Sequence, residues 1–169
     1  MIKIKLHFAL TALGSMLCAS TAQAFDPAAL TRLAADHACE HCDLSGADLS
    51  HMELKGAGLN GAILTNANLN GINLGGAELI GADLTGAKMV GANLSRANLS
   101  KVKLISVDLT DADLSSAQVI GTILIKSDLT GASFLGVHIE DFGQYASNTE
   151  CHTTRPNGSL SNQDCKPND

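Results

Sequence analysis

From residue 42 to residue 141 an apolar side chain returns at every fifth position, starting at Leu44, Leu49 and Leu54 and ending at Phe134 and Ile139. Of these 20 positions 16 are Leu, and the others are Met89, Val119, Phe134 and Ile139. Two residues earlier a small side chain recurs, and 12 of those 20 are Ala, Ala47, Ala82 and Ala97 among them. A period of five fits neither common element. On a helix each step of five turns by about 500°, which smears the leucines around the axis. In a straight strand an odd period sends successive leucines to opposite faces.

The set can be buried together only if the backbone turns once per pentad. Each pentad is then a short extended side followed by a corner. Four corners close a square coil of 20 residues, and coils stack at the inter-strand spacing of about 4.8 Å. Residues n and n+20 lie over one another. The Leu and the residue two before it point inward, and Ala suits the second slot because the lumen is narrow; Met52 and Ile72 are exceptions to which their coils must adjust. Glycine holds 11 of the 20 corner positions, such as Gly46 and Gly131, as tight turns require. Leu49, Leu69, Leu84, Leu94, Leu109 and Phe134 are expected core residues.

The run GADLTGAKMVGANLSRANLS resembles the pentapeptide-repeat proteins, whose consensus is A(D/N)LxX. The resemblance covers about 100 of 169 residues. It implies an all-β, right-handed quadrilateral β-helix of about five coils, a rod of roughly 24 Å. The expected organisation is a signal peptide over 1–24, a helical cap over 25–41, the β-helix over 42–141, and a disulfide-tied cap and tail over 142–169.

The signal reading rests on Lys3 and Lys5, the apolar stretch Leu6 to Leu17, and Ala22-Gln23-Ala24 at the cleavage positions. An uncleaved anchor or a lipoprotein at Cys18 are the lesser alternatives. The chain is therefore expected to be exported, to the periplasm or outside the cell, or to a lumen in a photosynthetic bacterium, with no membrane attachment after cleavage. Loss of Lys3 and Lys5 takes the formal charge from −6 to −8. An acidic chain without a Lys/Arg cluster is a poor nucleic-acid binder.

Cys39, Cys42, Cys151 and Cys165 remain after cleavage, an even number that suggests two disulfides in an oxidising compartment. The ends of the rod are too far apart for a long bridge, which favours Cys39–Cys42 and Cys151–Cys165. Free thiols at Cys39 and Cys42 are an alternative. Residues 26–38 read as a short helix with N-cap Asp26 and Pro27 at its first position. Pro156-Asn157-Gly158 signals a turn, with hairpin flanks near 151–155 and 159–163. Phe142 and Tyr145 are expected to plug the final coil, and Lys166 to Asp169 to be disordered.

His37, Cys39, His41 and Cys42 are zinc-ligand types, but they form one short cluster, and a structural disulfide is the favoured reading. The chain lacks the CxxCH of a c-type haem site and the βαβ context of a thioredoxin-like CxxC. No catalytic residue, cofactor or metal is expected, and the chain is not read as an enzyme. Charged columns at Lys88, Asp108 and Asp128, at Asp83 and Lys103, and at Glu53, Asn73, Asn93 and Asp113 are read as a solvated exterior with weak surface pairs. Ile105, Ile120, Ile123 and Ile125 form an outward apolar patch on the last two coils, either an interface for an unknown protein partner or a second copy, or a surface covered by the C-terminal tail. The functional expectation is a structural or protein-interaction module. The alternatives are an acidic DNA mimic that binds a topoisomerase, as the resemblance allows, and a metal- or thiol-binding protein.

Overall fold

A computed structural model describes residues 26–165. The expected leader at 1–24 and the tail Lys166 to Asp169 lie outside the described residues. Within them the chain is a stack of square coils. Parallel bridges join residues 20 apart down three columns, Asp43–Ile63–Asp83, Asp48–Asn68–Lys88–Asp108–Asp128 and Glu53–Asn73–Asn93–Asp113–Ser133, and down a fourth, Ala38–Gly58–Glu78–Asn98–Gln118. The Asp43 column continues through Asp83–Lys103 into two short strands, β1 (Lys103–Ile105) and β2 (Ile123–Ile125). Leu69, Met89 and Leu109 lie on one inner column, all buried, with Leu69 N–H donating to Lys88 O and Met89 N–H to Asp108 O. Leu49, Leu84, Leu94 and Phe134 are buried in the same core.

Every corner from residue 41 to residue 136 places one residue in the left-handed region, with φ between 55° and 73°. At Gly46 the turn closes through Ala47 N–H donating to Leu44 O at 3.0 Å, and positive φ at its third residue is what a type II turn demands. The Asp or Asn before each leucine has its own role. Its Oδ1 accepts the N–H two residues on, as at Asp48–Ser50 (3.1 Å) and Asn93–Ser95 (3.0 Å), and so fixes the chain entering the turn.

The stack is longer than the pentad pattern at both ends. It begins at Ala38, and Cys39 occupies the inward position that leucine holds in later pentads. At the other end β3 (Gln144–Ala146) pairs with β2, and Asp128 pairs with Thr149 and Ser133 with Thr154. These partners are 21 apart, because a 3-10 turn at Ile139–Asp141 inserts one residue. Three columns therefore carry six bridged positions, ending at Gln144, Thr149 and Thr154, so the expected five coils become six. The expected boundaries at 42 and 141 are corrected accordingly: 142–154 belongs largely to the stack, and Ile139 sits in the inserted turn where the last inward residue of the fifth coil was expected.

Helix α1 (Pro27–Asp36) covers the first coil. Asp26 Oδ1 accepts from Ala28 N–H at 2.9 Å, and Ala29 and Leu33 are fully buried against the core. At the far end β4 (Thr153–Thr154) and β5 (Leu160–Ser161) form an antiparallel hairpin. Phe142 is half-buried edge-on between Phe134 and Tyr145, closing the apolar column.

Candidate functional site

The exterior is a set of hydrogen-bonded ladders one coil apart. Asn68 Nδ2 donates to Asp48 Oδ1 (2.9 Å), Asn73 Nδ2 to Glu53 Oε2 (2.7 Å), and Asn93 Nδ2 to Asn73 Oδ1 (3.1 Å). Lys103 Nζ lies 2.8 Å from Asp83 Oδ2. Burial alone would raise the Asp83 carboxyl, but hydrogen bonds from Lys103 and Thr85 outweigh it and hold it below the ordinary carboxylate value. These groups are already satisfied along the rod, and each exposed pair contributes about 0–1 kcal/mol.

The isoleucine patch interrupts this polar surface. Ile105 stacks on Ile125, and Ile123 lies between Lys103 and Gln144. These three are half-buried, whereas Ile120, just before the preceding corner, is 58% exposed. Among the described residues Gln144–Ala146 pair alongside Ile123–Ile125, and the hydrogen bonds of the segment beyond them land on a different side, with Asp164 Oδ2 accepting from Glu150 N–H, Asn162 Oδ1 from His152 N–H, and Ser159 O from Arg155 N–H.

The N-terminal cysteines occupy two adjoining inward slots and are bridged, with Cα atoms 5.4 Å apart and exposures of 3% and 5%. Arg32 Nη2 lies 3.4 Å from Cys42 Sγ. Sulfurs joined to each other offer no thiolates, so the zinc reading of His37, Cys39, His41 and Cys42 has no donor set here. Cys151 and Cys165 form the second bridge, with Cα atoms 4.7 Å apart.

Sequence reasoning missed a polar cluster at the bottom of the lumen. With the one-residue insertion, Tyr145, Glu150 and Arg155 follow Leu124, Leu129 and Phe134 on three successive sides of the last coil, with Tyr145 and Glu150 half-buried and Arg155 exposed. Tyr145 hydroxyl donates to Glu150 Oε1 at 2.6 Å, Arg155 Nη2 lies 3.6 Å from Glu150 Oε2, and the same Nη2 donates to Ser161 Oγ at 2.9 Å. Burial, then the hydrogen bond and charge of Glu150, push the Tyr145 phenol well above its ordinary value. Burial would raise Glu150 too, but the hydrogen bonds from Tyr145 and Ser161 and the Arg155 charge win, and its carboxyl sits below the usual range. Tyr145 was expected to plug the final coil, but only a count of 21 after Leu129 would have shown that Glu150 follows it inward.

Comparison with known proteins agrees with this architecture. The family model described as pentapeptide repeats matches residues 42–79, 77–115 and 112–141. A crystal structure of a pentapeptide repeat protein from the Arabidopsis thaliana thylakoid lumen is 40% identical, covers 59% of this chain and 69% of its own, and superposes with a TM-score of 0.57. Rfr23, a pentapeptide repeat protein of the cyanobacterium Cyanothece 51142, is 28% identical, covers 75% of this chain and 96% of its own, and gives a TM-score of 0.56. A search of curated proteins gave no match. With the family model spanning residues 42–141 and the square stack realised over the same stretch, the chain belongs to the pentapeptide-repeat family.

Proposed function

We propose that this chain is an exported rod that carries out no chemistry of its own and serves as a structural or protein-interaction module. The observation that carries the interaction reading is the patch of Ile105, Ile120, Ile123 and Ile125, an apolar interruption in otherwise self-satisfied polar ladders, on a side that the hydrogen bonds of the described residues after Glu150 do not reach. An unpartnered patch of this kind suits a protein partner or a second copy of the chain. Export is supported by the leader-like first 24 residues, by a disulfide at each end of the rod, and by the thylakoid-lumen location of the Arabidopsis relative. The compartment is accordingly a periplasm, a lumen or the cell exterior. Placing aspartate at both Ile123 and Ile125 should abolish partner capture or self-association while the far-ultraviolet circular dichroism stays unchanged. Equal capture by the wild type and the double variant would refute the interface. An uncleaved chain found in the cytoplasm would refute export and favour the DNA-mimic reading.

A further inference from the structure

The two disulfides differ in what surrounds them. Cys39 and Cys42 face the lumen under helix α1, with Arg32 beside one sulfur. Cys151 and Cys165 lie at the other end, Cys151 buried and Cys165 half-buried, next to the exposed His152. One ligand atom from each of Cys151, His152 and Cys165 lies within 4.8 Å of the other two, the one such trio of His, Cys, Asp and Glu among the described residues.

We propose that Cys151, His152 and Cys165 are a redox-gated site for a soft d10 cation, Zn2+ in particular. While the disulfide stands the site is closed. A dithiol reductant opens it by thiol–disulfide exchange: the two electrons reduce the S–S bond to two thiols, and the reductant leaves as its own disulfide. Zn2+ then displaces one proton from each thiol and binds two thiolates and the neutral imidazole. Zinc takes about 2.3 Å to sulfur and about 2.0–2.1 Å to nitrogen, so tetrahedral ligand atoms stand roughly 3.5–3.8 Å apart, within side-chain rotation of the present spacing. The fourth position faces solvent and takes water.

The site survives reduction because the tail is held by more than the disulfide. Asp164 Oδ2 accepts from Glu150 N–H (2.9 Å), Asp164 N–H donates to Glu150 O (3.0 Å), Arg155 N–H donates to Ser159 O (2.8 Å), and β5 pairs with β4. Cys151 is fixed on its other side by Gly131 N–H donating to its carbonyl at 2.8 Å. Two thiols kept at this spacing are preorganised for a metal. Charge agrees as well, since the chain's formal net charge is −6.

The test is titration of the full chain with Co2+, a spectroscopic stand-in for Zn2+, before and after reduction with an excess of a non-chelating phosphine. Reduced wild type should gain thiolate-to-cobalt charge-transfer absorption saturating at one equivalent and reversed by Zn2+; oxidised wild type should not. His152→Asn keeps the left-handed corner tolerable (φ 53°) and should weaken binding by about tenfold or more. The Cys151→Ala/Cys165→Ala pair retains Cys39 and Cys42 and should show no such bands. Absence of the bands in the reduced wild type, their persistence in the double alanine variant, or unchanged affinity in His152→Asn would each overturn the proposal.

Discussion

Replacing Gly61 with alanine should cost far more than the same change at Gly46, although both are solvent-facing corners with nearly the same backbone. Gly46 has φ +68° and open space around its α-carbon; Gly61 has φ +66°, but a methyl group there would overlap the imidazole of His41 one coil above. The backbone component is common to both: alanine in the left-handed region costs about 1–2 kcal/mol, offset by about 0.4–1 kcal/mol from a stiffer unfolded chain. Gly46→Ala should therefore lose about 1 kcal/mol. Gly61→Ala carries in addition an overpacking cost of about 1–3 kcal/mol unless the exposed His41 ring swings away. Removing the ring as well, in His41→Ala/Gly61→Ala, should return the loss at residue 61 to the Gly46 level. Urea denaturation followed by circular dichroism supplies the four stabilities of the double-mutant cycle, and the coupling between 41 and 61 should be at least about 0.5 kcal/mol. Zero coupling, or equal losses at Gly46 and Gly61, would show that residues 20 apart do not stack at the corners.

Other outcomes follow from the core, the ends and the lumen. Leu94→Ala, at a fully buried mid-stack position, should lose about 2–5 kcal/mol in the same denaturation assay, and Leu94→Asp should abolish cooperative unfolding because its charge has no partner. Cys165→Ser opens a loop with a sequence separation of 14, for which the chain-entropy model gives up to about 3 kcal/mol; calorimetry should find a lower Tm, and an unchanged one would mean the tail's hydrogen bonds alone hold it. The folded Glu150 carboxyl lies below its unfolded value, so its stabilising contribution is present above the ordinary carboxylate pKa and is lost as pH falls through the lowered one. Tyr145 runs the other way: its raised pKa gives stability that is complete below pH 10 and lost as pH rises beyond it. Melting curves of the wild type and Glu150→Gln across pH 2–11 should differ in both limbs, and superimposable profiles would remove the cluster from the account.

The architecture was legible because sterics force it. Side chains repeating in fives, with small partners two residues earlier, leave a corner per pentad as the way to hide them, and Leu69, Met89 and Leu109 stack accordingly. The helix was legible from Asp26 and Pro27, and the hairpin from Pro156-Asn157-Gly158. The ends were not. Cys39 stands five residues before Leu44, yet a cysteine in the leucine slot does not announce itself as an inward residue. Ile139 completes the apolar pattern in sequence, while the chain spends it on a 3-10 turn that shifts all later residues by one. That shift sends Tyr145 and Glu150 to inward positions, where polar side chains are held by pairing with each other and with the exposed Arg155 at the open end of the lumen. The stacking rule at corners was likewise hidden: His41 over Gly61, His51 over Gly71 and Asp111 over Gly131 are neighbours only once the coil length is known.

The measurement closest to the central claim is a set of electron-spin distances down one face. Nitroxide labels at Asp48 paired in turn with Asp108, Asp128 and Thr149 sit three, four and five coils apart on a single bridged column. At about 4.8 Å per coil the backbone separations should rise evenly, from about 14 to about 19 to about 24 Å. Distances that fail to lengthen in this order, or a 48–149 pair closer than the 48–108 pair, would contradict a straight stack of twenty-residue squares.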